Sequence, residues 1–243
     1  MKITRPILHI RDTIGLWLVT NAFSKYLFKQ NRSILFNRAI MRALINYYNG
    51  DEGHQTNVST GNIGFGFIHL SLILNIKPKR VLCIGSRKGF IPAVCALACA
   101  ENGFGHVDFI DAGYGLENTN HWSGIAWWKR VDPVKHFSFL DVNKTLTAYI
   151  MTTLEFSKTY PKQKYDYIYI DGNHSFKGVQ TDYRLFWPRL SRGGFIVFHD
   201  THVHQTKLLG KFGVWKLWKQ LSVKNAISFP FPKESGLGIL QKK

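Results

Sequence analysis

Two short stretches carry most of the groups that could move protons. Asp171 and His174 follow the apolar run 165–170, and His199-Asp200 follow the run 194–198. An imidazole titrates near neutral pH and suits the acceptance of a proton. His174 is the leading candidate for that role, with Asp171, His199 and Asp200 beside it. Asp also caps helices and starts turns, so one Asp after an apolar run says little. Two further runs, 106–110 and 136–140, end in Asp111 and Asp141. Four aspartates at the ends of five runs argue for a polar site along one sheet edge.

The elements that must position these groups alternate in type. Residues 81–84 read as a buried strand that ends at Gly85. Gly89 follows, and then a small-residue helix over 91–100. Glycines let the backbone turn sharply and approach a ligand, and the helix start offers free amides. Segments 144–159 and 177–190 are compatible with helices between the later runs. Continuous apolar runs fit buried parallel strands, whose carboxyl ends gather ligands. The class expected is α/β.

Ile84-Gly85, Gly89, Asp111, the segment Tyr169-Ile-Asp-Gly-Asn-His-Ser-Phe-Lys-Gly-Val179 and the segment Leu190-Ser-Arg-Gly-Gly-Phe-Ile-Val-Phe-His-Asp200 resemble a class I S-adenosylmethionine-dependent methyltransferase. The last two segments are similar to the small-molecule and sugar O-methyltransferase branch, of the methyltransferase domain family 24 kind. The resemblance spans about residues 56–241. It implies a Rossmann-like, doubly wound, seven-stranded sheet, mostly parallel, closed by a C-terminal antiparallel strand. Residues 226–232 and 236–240 look like the closing pair. Where the family carries an acidic residue two positions before the first glycine, this chain has Cys83.

The resemblance also implies roles. Gly85, Ser86, Arg87 and Gly89 would shape the loop around the methionine part of S-adenosyl-L-methionine. Asp111 would accept the ribose hydroxyls, and Asp141 would lie near the adenine. Thr60 and Gly61, ahead of a helix over 65–74, would meet the carboxylate end of the cofactor. In related sugar and phenol O-methyltransferases acidic residues at similar strand ends bind Mg²⁺. Asp171, His199 and Asp200 are the corresponding candidates here for a divalent cation, Mg or Mn. Asn173 and His199 stand where a fully acidic site would have carboxylates, which weakens the case for a hard metal ion or points to a softer one.

At 243 residues, 45% hydrophobic and 14% aromatic, the chain suits one large globular domain. Residues 56–243 are expected to form it, with 1–55 as a helical extension serving as lid or membrane-surface segment. Cys83, Cys95 and Cys99 have no metal-type spacing and read as buried reduced thiols, in keeping with a cytoplasmic protein. The net charge is +17, and it is unevenly placed. Residues 1–50 hold eight basic residues and one acidic, and residues 201–243 hold the same numbers. Both ends interleave Lys and Arg with Trp, Leu and Phe. Their apolar runs fall far below the ~20 residues that span a bilayer, and no signal-type cleavage site follows. Such basic amphipathic helices lie in an anionic membrane interface, pack on the sheet, or cover the active site.

The expected acceptor is a sugar hydroxyl of a glycan or glycolipid, methylated at the inner face of the membrane. Trp122, Trp127, Trp128 and Tyr114 are the aromatic residues that would stack on a sugar. Nucleic acid ranks lower as a partner: the basic charge could track phosphates, but no base-amine motif or appended RNA module is evident. A non-catalytic cofactor-binding protein and a homo-oligomer complete the alternatives.

Overall fold

Residues 37–113, 127–206, 210–221, 225–230 and 235–243 are described in the structure, a computed structural model. The helices expected within residues 1–36, and Tyr114 and Trp122, lie outside the described residues. The strands are β1 (Arg80–Ile84), β2 (His106–Asp111), β3 (Leu146–Ile150), β4 (Tyr165–Ile170), β5 (Leu190–His199), β6 (Gln205–Thr206), β7 (Gly210–Lys211), β8 (Ala226–Pro230) and β9 (Gly236–Gln241). Seven of them form one sheet in the order β3-β2-β1-β4-β5-β9-β8, and β6 and β7 pair separately. β1 to β5 run parallel. β9 runs antiparallel to both β5 and β8, as the resemblance implied.

The helices are α1 (Arg38–Tyr48), α2 (Phe65–Ile76), α3 (Phe90–Glu101), the short α4 (Trp127–Arg130) and α5 (Pro133–Phe137), α6 (Thr153–Thr159), α7 (Phe176–Phe186) and α8 (Val214–Leu221). Side chains alternate across a strand. Val81, Cys83, Val107, Phe109, Tyr167 and Tyr169 therefore join one core with α1, α2 and α3. Leu82, Ile84, Ile168, Ile170, Ile196 and Phe198 join the other with α6, α7 and α8. Burial on both faces is why these strands read as unbroken apolar runs. All three cysteines are buried free thiols.

One expectation changes. The run 136–140 is not a strand. Asp132 caps α5 by accepting from Val134 N (2.9 Å), with Pro133 at the first helical position. A 3₁₀ turn over Ser138–Leu140 follows, and the third strand is Leu146–Ile150. A short apolar run cannot by itself separate strand from helix, and the Asp-Pro start signal decides here. Ile40, Met41, Leu44, Ile45 and Tyr48 of α1 sit in the first core, the sheet-packing alternative for this part of the N-terminal segment. The apolar face of the C-terminal amphipathic stretch likewise packs on the sheet. α8 buries Val214, Leu217 and Trp218 in the second core, while Trp215 is half-buried and Lys216 and Lys219 are exposed.

Candidate active site

β1 lies between β2 and β4, so the connections leaving β1 and β4 diverge and a crevice opens at their carboxyl ends. Two backbone bonds tie its floor together. Gly85 N–H donates to Ile110 O (2.9 Å), and Asp171 N–H donates to Ile84 O (2.8 Å). Gly85 has φ +72°, and a Cβ there would overlap the Asp171 carbonyl, so only glycine fits. Gly89 has φ +90° and faces Phe137 in the same way. Between them, Ser86 donates its N–H to Asp111 Oδ2 (3.3 Å) and accepts at its carbonyl from Trp128 Nε1 (3.1 Å). Trp128 is 4% exposed, so it pins this loop and offers no stacking face to an acceptor. Trp127 is half-buried, with Lys88 Nζ 4.6 Å from its ring centre.

Asp111 ends β2 beside that loop. Its Oδ1 accepts from Gly113 N (2.8 Å). Burial raises its carboxyl to about 6, and the backbone donors from Gly113 and Ser86 only partly offset this. Asp141 is placed elsewhere. It precedes β3, so it lies at the opposite, amino edge of the sheet. There it pairs with Lys144 Nζ (2.6 Å) and lines a cleft of about 520 Å³ with Leu97 and Phe104. The carboxyl end of β3 carries Ile150, Met151 and Thr152 instead. Thr60 caps no helix. Its hydroxyl donates to Asn57 O (3.2 Å), Gly64 is the N-cap of α2, and Gly61 packs against Arg38 and Met41 of α1.

The chemistry-bearing groups converge beyond β4 and β5. Ser175 caps α7 by accepting from Gly178 N (3.1 Å), which brings His174 over Asp171. A left-handed backbone at Asp200 (φ +57°) turns the chain out of β5. His174 Nε2 lies 3.2 Å from Asp171 Oδ1 and 3.4 Å from Asp200 Oδ2, and its ring stacks on Phe212. His199 Nδ1 lies 3.3 Å from Asp171 Oδ1 and 3.3 Å from Asp200 Oδ1. It is aligned with neither for a hydrogen bond. Its Nε2 donates to Gly53 O (3.1 Å). Tyr169 OH donates to Asp171 Oδ2 (2.9 Å). Burial opposes charge on both Asp171 and His199, but the His199 charge acting on Asp171, and the Asp200 and Asp171 charges acting on His199, outweigh it. The Asp171 carboxyl is held well below the usual range, and the His199 imidazole well above.

Two residues of this cluster were not found by sequence reasoning. His54 stacks on His199 with ring centres 4.8 Å apart, and its Nε2 is 4.0 Å from Asp171 Oδ2. Asp51 holds it through Nδ1 (2.8 Å), and Arg87 of the glycine loop is 3.9 Å from the same carboxylate. Burial pushes the Asp51 carboxyl up, and the His54 bond and charge bring it below its ordinary value. Asp51-x-x-His54 repeats the spacing of Asp171-x-x-His174, which is the signal that could have revealed it.

The donor set fits a divalent cation. Nδ1 of His199 is a buried nitrogen with no hydrogen-bond partner, facing two carboxylates. Ligand atoms of Asp171, His174 and Asp200 lie within 4.8 Å of one another. His174 stands in this set in place of the His199 expected beside Asp171 and Asp200. When bound, such an ion lowers the pKa of a coordinated hydroxyl.

Residues 82–201 match the Methyltransf_24 family, a methyltransferase domain. The fold and that match make the chain similar to class I methyltransferases. Similar solved structures include the O-methyltransferase from Bacillus cereus in complex with SAH. Its TM-score is 0.54 at 13% identity, covering 91% of this chain and 97% of that one. TomG from Streptomyces achromogenes, an O-methyltransferase involved in tomaymycin synthesis and solved with SAM, has a TM-score of 0.56 at 11% identity, covering 91% and 96%. SAH-bound PaMTH1 from Podospora anserina has a TM-score of 0.55 at 12% identity, covering 100% and 99%. The uncharacterized protein y4gI of Sinorhizobium fredii is 27% identical over 195 residues, 78% of this chain and 19% of that protein. The chain therefore spans about a fifth of that relative's length.

Proposed function

We propose that the protein transfers the methyl group of S-adenosylmethionine to a hydroxyl of a polyhydroxylated small molecule, with a sugar of a glycan or glycolipid as the acceptor class. The observation that carries this reading is the ring of carboxylates and imidazoles at the switch point, next to the Gly85–Gly89 loop. In the reaction the acceptor oxygen attacks the methyl carbon in line, the sulfur–carbon bond breaks, and the hydroxyl proton passes to a base. Asp171 and Asp200 are placed to orient a hydroxyl. His174 has its Nε2 engaged by both carboxylates. His54 has its Nδ1–H held by Asp51 and leaves a lone pair on Nε2, which has no hydrogen-bond partner. His54 is therefore the base in this mechanism, in place of His174. The cation, where bound, would be held by Asp171, His174 and Asp200.

The basic ends support placement of the acceptor at an anionic membrane surface, where each exposed Lys or Arg contributes ~1 kcal/mol. No helix among the described residues is long and apolar enough to cross a membrane. The test is transfer of labelled methyl from S-adenosylmethionine by the full-length protein. Sugars, glycolipids in anionic vesicles, catechols and RNA would be offered in parallel. Label in the sugar or glycolipid supports the reading. Label confined to RNA or catechol overturns the acceptor assignment.

A further inference from the structure

We propose that the surface formed by His204, Trp215, Lys216 and Lys219, on the flank of the active site beside His174, is a subsite for a phosphate group. The sugar acceptor then carries a phosphate ester or diphosphate, held there. The acceptor part rests on the methyl-transfer reading above; the phosphate subsite does not.

Placement is the first argument. The His174 ring stacks on Phe212, with ring centres 4.8 Å apart. Gly213 N–H donates to His174 O (2.8 Å), and Phe212 N–H donates to His204 O (3.0 Å). A Cβ at Gly213 would overlap the backbone of Phe176, so this segment lies hard against the start of α7. Trp215 Nε1 in turn donates to Phe212 O (3.0 Å). The indole is thus two contacts from the imidazole that faces Asp171 and Asp200, and it is fixed relative to that imidazole.

Charge is the second argument. The His204 ring lies flat on the Trp215 indole, with 4.3 Å between centres and 3° between planes. Lys216 Nζ and Lys219 Nζ stand 5.4 and 5.1 Å from the centre of the indole. An aromatic face attracts an ammonium but carries no net charge, so both lysines keep theirs for a ligand. Among the described residues, no carboxylate pairs with His204, Lys216 or Lys219. The sequence from Thr201 to Lys233 holds six lysines and no Asp or Glu. Lys216 also lies in the first turn of α8, where the positive end of the helix dipole disfavours a cation and favours an anion. A bound phosphate relieves this crowding of like charge.

The polarity of the cleft is the third. Asp51, Asp171 and Asp200 surround the imidazoles of the reaction centre. A phosphate placed there would meet carboxylates; on the Trp215 flank it meets two ammoniums and an imidazole. Charge-assisted bonds to phosphate are strong, and repulsion from the wrong end fixes orientation. The two ends of the cleft therefore suit the two ends of one acceptor. Its hydroxyl lies at the carboxylate end and its phosphate at the lysine end. A neutral sugar makes no use of the lysines.

The test titrates the full-length protein by calorimetry with inorganic pyrophosphate, and separately with S-adenosylhomocysteine. One pyrophosphate should bind per chain. Lys216→Gln combined with Lys219→Gln should weaken it at least ~10-fold. Lys77→Gln combined with Lys79→Gln removes the same charge from exposed positions ahead of β1, at the far edge of the sheet, and should leave affinity within about twofold. S-adenosylhomocysteine binding by each double variant confirms that it is folded. Methyl transfer is then compared between free hexoses, their 1-phosphates, and the same hexoses on a lipid diphosphate in neutral vesicles, which tells soluble from lipid-linked phosphate. A phosphorylated form should react at least ~10-fold better in kcat/KM, and the Lys216 and Lys219 changes should erase that advantage through KM. If the protein binds S-adenosylhomocysteine but no pyrophosphate, or both double variants lose pyrophosphate equally, the proposal is overturned. Equal transfer to free and phosphorylated hexoses overturns it as well. If pyrophosphate binds as described and S-adenosylhomocysteine does not, the phosphate subsite stands and the methyltransferase reading falls.

Discussion

The carbonyl of Asp171 occupies the space in which Gly85 would carry a side chain. The turn that follows β1 and the first group of the chemistry-bearing cluster are thus in van der Waals contact through backbone atoms. A methyl at position 85 must displace Asp171, and it also meets a left-handed backbone that costs a non-glycine residue about 1 kcal/mol. Gly85→Ala is expected to lower S-adenosylhomocysteine affinity more than tenfold and to reduce thermal stability. Calorimetry and a melting curve check both. A variant with wild-type affinity would show that the loop does not face the cofactor.

Asp111 carries a pH dependence. Its folded carboxyl sits at about 6, raised chiefly by burial. For a raised acid the stability it confers is present below its unfolded value and is lost as pH rises through about 6. Ribose hydroxyls donate to the charged form, so bound cofactor reverses the trend. S-adenosylhomocysteine affinity should rise between pH ~5 and ~7 and level off above. Flat affinity across that range, measured by calorimetry, would remove Asp111 from the ribose contact.

Asp182 offers a test of stability alone. It is 5% exposed on α7 and accepts from the Thr153 hydroxyl (2.7 Å). Burial raises its carboxyl to about 6, offset in part by that bond. Its charge therefore opposes folding at neutral pH. Asp182→Asn keeps an acceptor for Thr153 and should stabilise the protein by up to ~3 kcal/mol at pH 8, with the gain vanishing near pH 4. Denaturant melts at the two pH values check the sign.

His54 should separate chemistry from binding. His54→Ala removes the imidazole whose Nε2 faces Asp171 and leaves the Gly85–Gly89 loop untouched. Turnover is expected to fall ~10²-fold or more, with S-adenosylhomocysteine affinity within a few-fold of wild type. An equal loss from His174→Ala and none from His54→Ala would return the base role to His174.

Much of this architecture was legible in the chain, for physical reasons. Strands buried on both faces, such as β1 and β4, must be apolar throughout, so their ends are visible and so are Gly85, Asp111, Asp171 and His199-Asp200. The edge strand β3 is half-exposed, and its pattern was outweighed by the more apolar residues 136–140, which belong to a helix and a 3₁₀ turn. Asp141 was misplaced with them. Trp127 and Trp128 read as a stacking surface because aromatic content alone does not reveal burial; the bond from Trp128 to Ser86 is a tertiary fact. His54 and Asp51 were missed because they lie outside the strand–helix series. Only folding brings His54 against His199, 145 positions further along the chain.

The central claim is that the crevice at the β1–β4 switch point holds S-adenosylmethionine through the Gly85–Gly89 loop and Asp111. Calorimetric titration of the full-length protein with S-adenosylhomocysteine, beside Asp111→Ala, tests it most directly. The account predicts one site per chain, and at least a tenfold loss in the variant, since a hydrogen bond to a charged carboxylate contributes ~1.5–3 kcal/mol. Absence of binding by the wild-type protein, or equal affinity in a folded Asp111→Ala variant, would contradict it.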